Sequence, residues 1–216
     1  MSLTLHFHPL SSFCQKVLVA LYEKDVAFTP HIVHLGEDAS RAAFLGLWPI
    51  GRFPVLRDDA KGRTVPETSI IIEYLEQNYL TGTRLIPAEP ERALDVRLAD
   101  RFYDLYVNVP MQKIVGDRLA PDDRRDPLGV ERARGLLRTA LDLVERDMAQ
   151  RTWAAGEAFS MADCAAAPAL FYADQVMPFG ETHKHVARYF SRLKDRPSYK
   201  RVAAEAEPYL KNFPRA

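Results

Sequence analysis

The sequence predicts an α/β domain followed by an all-helical domain, and three observations support that order. Strand and helix patterns alternate along the first eighty residues. The composition then changes between residues 80 and 90, where Thr81-Gly82-Thr83 and two prolines are typical of a linker. Beyond the linker, every apolar pattern has helical spacing. We therefore expect an α/β domain over residues 1–80 and a helical domain over residues 88–216.

The first half contains elements in the order β-α-β-α-β-β-α. Apolar and polar residues alternate over residues 3–7 as in a half-buried strand, and residues 14–22 have apolar side chains at helical spacing. A second strand ends near Ile32 and contains Pro30, which is typical of an edge strand. The remaining elements are a helix, two short strands and a helix, over residues 40–45, 55–56, 63–65 and 67–78.

The second half contains two long helical patterns and one clear helix start. The stronger pattern runs over residues 130–148, and Ser160 with Asp163 forms a capping box, in which the Asp163 carboxylate reaches back to the Ser160 amide. Two shorter helices follow, the first of which ends near Pro197. The other long pattern is one helical stripe of Leu94, Leu98, Phe102, Leu105 and Val109.

The composition excludes several classes of protein. The chain has 216 residues, is 47% hydrophobic, and balances 29 Lys and Arg against 29 Asp and Glu. This balance gives no reason to expect nucleic acid as a partner, and the sequence has no apolar run long enough for a membrane span. The first residues lack the basic and apolar regions of a signal peptide. With only two cysteines, Cys14 and Cys164, we expect a cytoplasmic protein without disulfides.

The order of elements and four short motifs together resemble the cytosolic glutathione S-transferase family. The motifs are Ser11-Ser12-Phe13-Cys14, Gly51-Arg52-Phe53-Pro54-Val55-Leu56, Glu67-Thr68 and Ser160-Met161-Ala162-Asp163. Each motif alone is weak, but their order and spacing are specific, and the resemblance covers nearly the whole chain. It implies a thioredoxin-like glutathione-binding domain, a helical domain that contributes the electrophile pocket, and a homodimer. It also implies glutathione as co-substrate and detoxification of a small hydrophobic electrophile.

Ser11 is the first candidate catalytic residue. It begins a helix, where unpaired amides and the positive end of the helix dipole favour an anion, although serine is also a common helix cap. The pattern Leu10-Ser11-x-x-Cys14 is similar to that of the serine-type theta and zeta classes. The resemblance therefore implies that the Ser11 hydroxyl stabilises the glutathione thiolate, with Ser12 as the second choice. Such a hydrogen bond lowers a thiol pKa from its usual value of about 8.5.

The other motifs imply residues that bind the rest of glutathione. Phe53-Pro54 resembles the cis-proline turn, where the cysteinyl unit docks as a short antiparallel strand. Glu67 would pair with the γ-glutamyl ammonium group and Thr68 with its carboxylate, although a carboxylate at a helix start also simply complements the helix dipole. Arg52 would meet the glycyl carboxylate. Asp100 would reach the ligand of a partner subunit.

The resemblance also implies an electrophile pocket between the two domains. The candidate lining residues are Phe13, Tyr103, Tyr106, Val107 and Met111. Aromatic residues at helical spacing also commonly pack in a core, so both interpretations stay open. The six histidines show no spacing typical of a metal site, and we expect no metal.

Two alternatives to a transferase remain. One is a binding or regulatory module that keeps the fold without catalysis. The other is a thiol-disulfide exchanger that uses Cys14, which stands where related thioredoxin-like proteins have the second cysteine of Cys-x-x-Cys. That second cysteine is the more buried of the pair, so we expect Cys14 to pack in the core. We expect the same of Cys164.

Overall fold

A mixed four-stranded sheet forms the first half of the protein. The structure, a computed structural model, describes residues 2–214. Residues 1, 215 and 216, at the ends of the two predicted domains, lie outside the described residues. In the sheet, β1 pairs in parallel with β2 and antiparallel with β3, which pairs antiparallel with β4. The strands are β1 (Leu3–Phe7), β2 (Thr29–Ile32), β3 (Val55–Asp58) and β4 (Arg63–Pro66), in the spatial order β2-β1-β3-β4.

Three helices complete this half and confirm the predicted order and the thioredoxin-like fold. They are α1 (Ser12–Glu23), α2 (Asp38–Leu47) and α3 (Thr68–Asn78). The strand β2 lies at an edge of the sheet, as Pro30 predicts, because an edge strand tolerates the missing amide. The helix α2 is longer than its prediction of residues 40–45.

The two faces of the sheet are covered differently. The apolar residues of β1 lie in the main core with those of α1 and α3. On the other face, Val33, Phe44 of α2 and Val55 form a small separate cluster. The polar positions of β1, including His6, lie on this second face, since side chains alternate along a strand.

The described part of the second half is helical apart from its loops. Its elements are α4 (Pro90–Phe102), a π-helical segment (Tyr103–Asn108), α5 (Val109–Leu119), α6 (Pro127–Met148), α7 (Met161–Val176), α8 (Lys184–Asp195), α9 (Pro197–Ala206), and two 3-10 turns (Asp122–Arg124 and Glu207–Asn212). The predicted capping box starts α7, where the Ser160 amide donates to Asp163 Oδ2 over 2.9 Å. Between residues 2 and 214, no helix combines the length and the apolarity needed to cross a membrane.

One of the two predicted helical stripes does not face the core. The pattern over residues 130–148 lies in α6 and contributes to the core. In contrast, four residues of the other pattern are exposed, and we call them the α4 stripe: Leu94, Leu98, Leu105 and Val109. A different face of α4, which contains Val96, turns inward instead. The π-helical segment then breaks the regular spacing on which the prediction depends.

The two halves share one hydrophobic core. The helix α1 packs against α7 and α9, and the main buried cluster contains residues of both halves. The linker is tied to the end of α1, because the Thr83 amide donates to the Glu23 carbonyl oxygen over 2.8 Å. Gly82 has a φ of 64°, and a Cβ there would collide with the backbone of Glu23 and Lys24. Glycine is therefore required at this close approach.

Candidate active site

The sheet topology brings three of the sequence motifs to one end of the sheet. His6 of β1 pairs with Val55 of β3, and Val55 pairs with Pro66 of β4. The residues that follow β1, precede β3 and follow β4 therefore lie at the same end of the sheet, because β1 and β4 are both antiparallel to β3. These residues are the start of α1, the turn before β3 and the start of α3.

Ser11 is the N-cap of α1 and its side chain is half-buried. Its amide donates to the His8 carbonyl oxygen over 3.0 Å, and its Oγ accepts from the Cys14 amide over 3.3 Å. Because Oγ is the acceptor in this bond, its own proton stays available for donation. The hydroxyl thus stands at a helix N-terminus with a proton to offer an anion.

Ser12 faces the interior instead. Only 4% of the residue is exposed, and its Oγ donates to Asn108 Oδ1 over 2.9 Å. Asn108 belongs to the π-helical segment, so this bond joins the two halves of the protein. The Ser12 hydroxyl is therefore not available to a ligand. This corrects the prediction of Ser12 as the second candidate for the catalytic hydroxyl.

The turn before β3 contains a cis peptide bond between Phe53 and Pro54. Pro54 is buried, Phe53 is half-buried, and Arg52 before them is exposed. The ring of His8 stacks on the ring of Phe53 with centroids 6.1 Å apart. This contact joins the end of β1, and with it the Ser11 turn, to the cis-proline turn.

The start of α3 has an unusual backbone. Glu67 has a φ of 70°, a region that residues other than glycine rarely adopt, and its exposed side chain makes no capping hydrogen bond. Such backbone conformations cluster at functional sites. Thr68, the first residue of α3, is buried. The exposed Glu67 carboxylate and the amides at the start of α3 form a polar corner beside the cis-proline turn.

Asp100 lies in a buried ionic network and not at a subunit surface. Lys16 Nζ lies 2.6 Å from Asp100 Oδ1, 2.7 Å from Asp104 Oδ2 and 3.0 Å from Ser69 Oγ. Ser69 Oγ also donates to Asp100 Oδ2 over 2.6 Å. Burial raises the pKa of Asp104, and the Lys16 charge opposes that effect. Asp100 is therefore paired with residues of its own chain. This corrects the prediction that Asp100 contacts the ligand of a partner subunit.

The predicted electrophile pocket is only partly available. Tyr103, Val107 and Met111 are buried in the core, because this face of the π-helical segment and α5 packs inward. Phe13 is half-buried and Tyr106 is exposed, so these two residues present side-chain surface that a ligand can reach. The burial of the other three favours the alternative interpretation, in which they pack in the core.

A cavity of about 380 Å³ adjoins the cis-proline turn and was not predicted from the sequence. Its lining includes His8, His34, Glu37 and Phe53. The Leu10 amide donates to His8 Nδ1 over 3.2 Å, and burial together with His34 lowers the pKa of His8. Both effects favour the neutral form of His8. In the sequence, His8 is marked only by its position directly after the alternating residues of β1.

Both cysteines are unsuited to thiol chemistry. Cys14 and Cys164 are fully buried and free. Burial raises the pKa of Cys14 to about 12 and raises that of Cys164 well above its ordinary value. The structure confirms the expectation that both pack in the core. Among residues 2–214, no three His, Cys, Asp or Glu side chains form a group that could hold a metal ion.

The fold defines a protein with a thioredoxin-like domain joined to an all-helical domain. Its sequence matches the family model described as the glutathione S-transferase N-terminal domain over residues 5–82, and the corresponding C-terminal domain over residues 127–204. The chain belongs to the glutathione S-transferase family, which confirms the resemblance.

Three similar proteins illustrate the range of the family. FtsZ-localized protein A of Caulobacter vibrioides is 31% identical, with 96% of this chain and 93% of that protein covered. A glutathione S-transferase of Pseudomonas putida is 30% identical, with 74% and 70% covered. The crystal structure of a Methylobacillus flagellatus glutathione S-transferase with glutathione bound has a TM-score of 0.85 at 24% identity, with 93% and 98% covered. The last likeness is one of fold.

Proposed function

We propose that the protein is a glutathione transferase, which activates the thiol of glutathione for attack on a small hydrophobic electrophile. In this proposal the α/β domain, residues 1–80, binds glutathione, and the helical domain, residues 88–216, contributes to the electrophile pocket. The observation that carries the proposal is the half-exposed Ser11 hydroxyl, which accepts from the Cys14 amide and keeps its proton for an anion.

The chemistry at Ser11 follows from electrostatics. A thiolate beside Ser11 would receive the hydroxyl proton as a hydrogen bond and would lie near the positive end of the α1 dipole. Both interactions favour the charged form, so the pKa of the bound thiol falls below about 8.5. More thiolate is then present at neutral pH, and the thiolate is the reactive nucleophile.

The other contacts of glutathione follow from the same end of the sheet. The backbone of Phe53 beside the cis bond would pair with the cysteinyl unit. Glu67 would bind the γ-glutamyl ammonium, and the Thr68 amide at the start of α3 would bind the adjacent carboxylate. Arg52, exposed in the turn, would meet the glycyl carboxylate. Phe13 and Tyr106 would contact the electrophile.

We also propose a cytoplasmic homodimer. The α4 stripe supports the dimer, since four exposed apolar side chains on consecutive helical segments form a patch that a second copy would cover. In such a dimer the α/β domain of one subunit meets the helical domain of the other. Two free, buried cysteines suit a reducing compartment.

A second candidate function is a binding module without catalysis. The observation that favours it is the likeness to FtsZ-localized protein A along 96% of the chain, since that protein is named for a location and not for a reaction. Glutathione binding without turnover would support this candidate. The third alternative, exchange through Cys14, is contradicted by the burial of the thiol and its pKa of about 12.

The test of catalysis is the pH profile of the Ser11→Ala variant. Turnover with an electrophile panel of halides, epoxides and hydroperoxides should fall about 10²-fold near pH 7, since one donor to a developing anion is lost. The pKa of bound glutathione, measured from thiolate absorbance, should rise. The matched control is Ser12→Ala, which removes a buried hydroxyl without a ligand role. Wild-type rates and thiol pKa in Ser11→Ala would overturn the assignment.

The test of binding is calorimetry on the Glu67→Ala variant. Loss of one partner of a charge-assisted contact should weaken glutathione affinity by about 1.5–3 kcal/mol. Glu91→Ala is the control, because Glu91 is also an exposed carboxylate in the first turn of a helix. Equal dissociation constants for the folded Glu67→Ala variant and the wild type would reject the proposed γ-glutamyl site.

A further inference from the structure

We propose that Tyr172 is a positioning residue for Ser11, so that the helical half of the chain sets the thiol pKa in the α/β half. Tyr172 belongs to α7 and is 162 residues away from the loop that it contacts. The inference rests on the proposed function, because it concerns how the Ser11 hydroxyl is held.

Two consecutive peptide groups before α1 are fixed at both their oxygen and their nitrogen. Tyr172 Oη donates to the Leu10 carbonyl oxygen over 2.8 Å, and the amide of the same peptide group, that of Ser11, donates to the His8 carbonyl oxygen over 3.0 Å. In the preceding peptide group, the Pro9 carbonyl oxygen accepts from Gln15 Nε2 over 2.8 Å. Its amide, that of Leu10, donates to His8 Nδ1 over 3.2 Å.

Fixing these peptide groups fixes the direction of the Ser11 side chain. A peptide group is planar, so holding its two polar atoms sets the plane and leaves little freedom at the adjacent Cα. The bond from Tyr172 is the only one of the four that comes from the helical half. Its removal frees the Leu10-Ser11 peptide plane on one side, directly before the hydroxyl that would face the thiolate.

Tyr172 is itself rigidly held as a donor. Its residue is buried, and burial raises the pKa of its hydroxyl, so the proton stays in place over the working pH range. Gln15 Nε2 donates to Tyr172 Oη over 3.1 Å, which leaves the hydroxyl proton directed to Leu10. The ring packs against Phe213 with centroids 5.3 Å apart. The Tyr172→Phe substitution keeps this ring packing and removes only the oxygen.

The experiment compares Tyr172→Phe with the wild type in the full-length protein. The pKa of bound glutathione should rise by about 0.7, which lowers turnover about fivefold below that pKa and leaves the rate near pH 9 unchanged. The KM for glutathione should change less than about twofold, because no binding group is removed. A merely destabilised enzyme would instead lose the same fraction of activity at every pH.

The matched control is Tyr189→Phe, which also removes a buried tyrosine hydroxyl. Tyr189 Oη donates to Asp163 Oδ1 over 2.7 Å, away from the loop before α1. A bond to a carboxylate is stronger than one to a carbonyl, so this variant is at least as destabilised. The proposal expects its thiol pKa to equal that of the wild type. Equal thiol pKa values in Tyr172→Phe and the wild type would overturn the proposal.

The Gln15→Leu variant tests the proposal if Tyr172→Phe does not fold. It removes the hydrogen bonds from Gln15 Nε2 to the Pro9 carbonyl oxygen and to Tyr172 Oη, and the pKa of bound glutathione should again rise. Amide hydrogen exchange of residues 10–14 should quicken in it without any ligand, and unchanged exchange and thiol pKa would overturn the proposal. If the wild type binds glutathione without lowering its thiol pKa, the proposed function fails first and this inference fails with it.

Discussion

Cys14 illustrates how burial decides the chemistry of a residue beside the candidate site. Its amide bonds to Ser11, yet its thiol lies in the core with a pKa of about 12. Roughly one thiol in 10⁵ is then ionised near pH 7, which is too few for exchange chemistry.

We expect neither thiol of the native protein to react with an aromatic disulfide reagent, whereas both react after unfolding in denaturant. The Cys14→Ala variant should keep its turnover and lose about 1–2 kcal/mol of unfolding free energy, because the substitution leaves a small cavity. Cys164→Ala is the control for burial alone. A rapidly titrating thiol in the native wild type, lost in Cys14→Ala, would restore the exchange hypothesis.

At the same scale, the sequence shows which residues could act at the site, but it does not show which way their side chains point. Ser11 and Ser12 are chemically equivalent in the sequence, but Ser11 is an N-cap with an extended backbone whereas Ser12 is the first residue of the helix, so their side chains point in different directions. One therefore caps α1 at the surface while the other bonds to Asn108 across the domain interface. The partner of Ser12 is 96 residues away, and no local pattern encodes such a contact.

At the scale of elements, Lys16 holds three helices together. Its ammonium donates to Ser69 of α3 and to Asp104 of the π-helical segment, and it forms an ion pair with Asp100 of α4. The Lys16 side chain is 1% exposed, so these partners replace its water completely. In the sequence, this network is indicated only by a lysine that lies among the apolar residues of α1.

We expect Lys16→Met to lower the free energy of unfolding by about 3 kcal/mol, since it leaves the buried Asp100 and Asp104 carboxylates with only the half-exposed Arg101 as a countercharge. Lys113→Met is the matched control, because the Lys113 pair with Asp126 is exposed to solvent, and its loss should be much the smaller of the two. Urea unfolding of both variants measures the difference. Equal, small losses would show that the buried network contributes little.

Elements with simple periodicity were predictable, and elements with a local irregularity were not. The alternation in β1 and the pattern in α6 survive in the structure because each element keeps one face toward the core. The predicted helical conformation over residues 94–109 is present, but most of its apolar stripe is exposed, because a π-helical segment follows α4 and a different face is buried. Amphipathic spacing indicates that a helix has an apolar face. It does not indicate whether residues of the same chain pack against that face.

At the scale of the whole molecule, the α4 stripe predicts the oligomeric state. Leu98 is 69% exposed, and Leu98→Glu would introduce a charge into the apolar surface that the proposed dimer buries. We expect sedimentation to give a dimer for the wild type at micromolar concentration and a monomer for Leu98→Glu. Leu80→Glu is the control, since Leu80 is 90% exposed and lies outside the stripe. A monomeric wild type would reject the proposed dimer.

The core shared by both halves also governs how the protein loses its structure. Most of the buried residues of α1 are apolar, and this helix packs against both α7 and α9. Neither half can melt while the other persists without exposing those residues to water. We therefore expect denaturation to be a single cooperative event. The candidate site and its scaffold should then share one melting temperature, so that heat inactivation and global unfolding coincide.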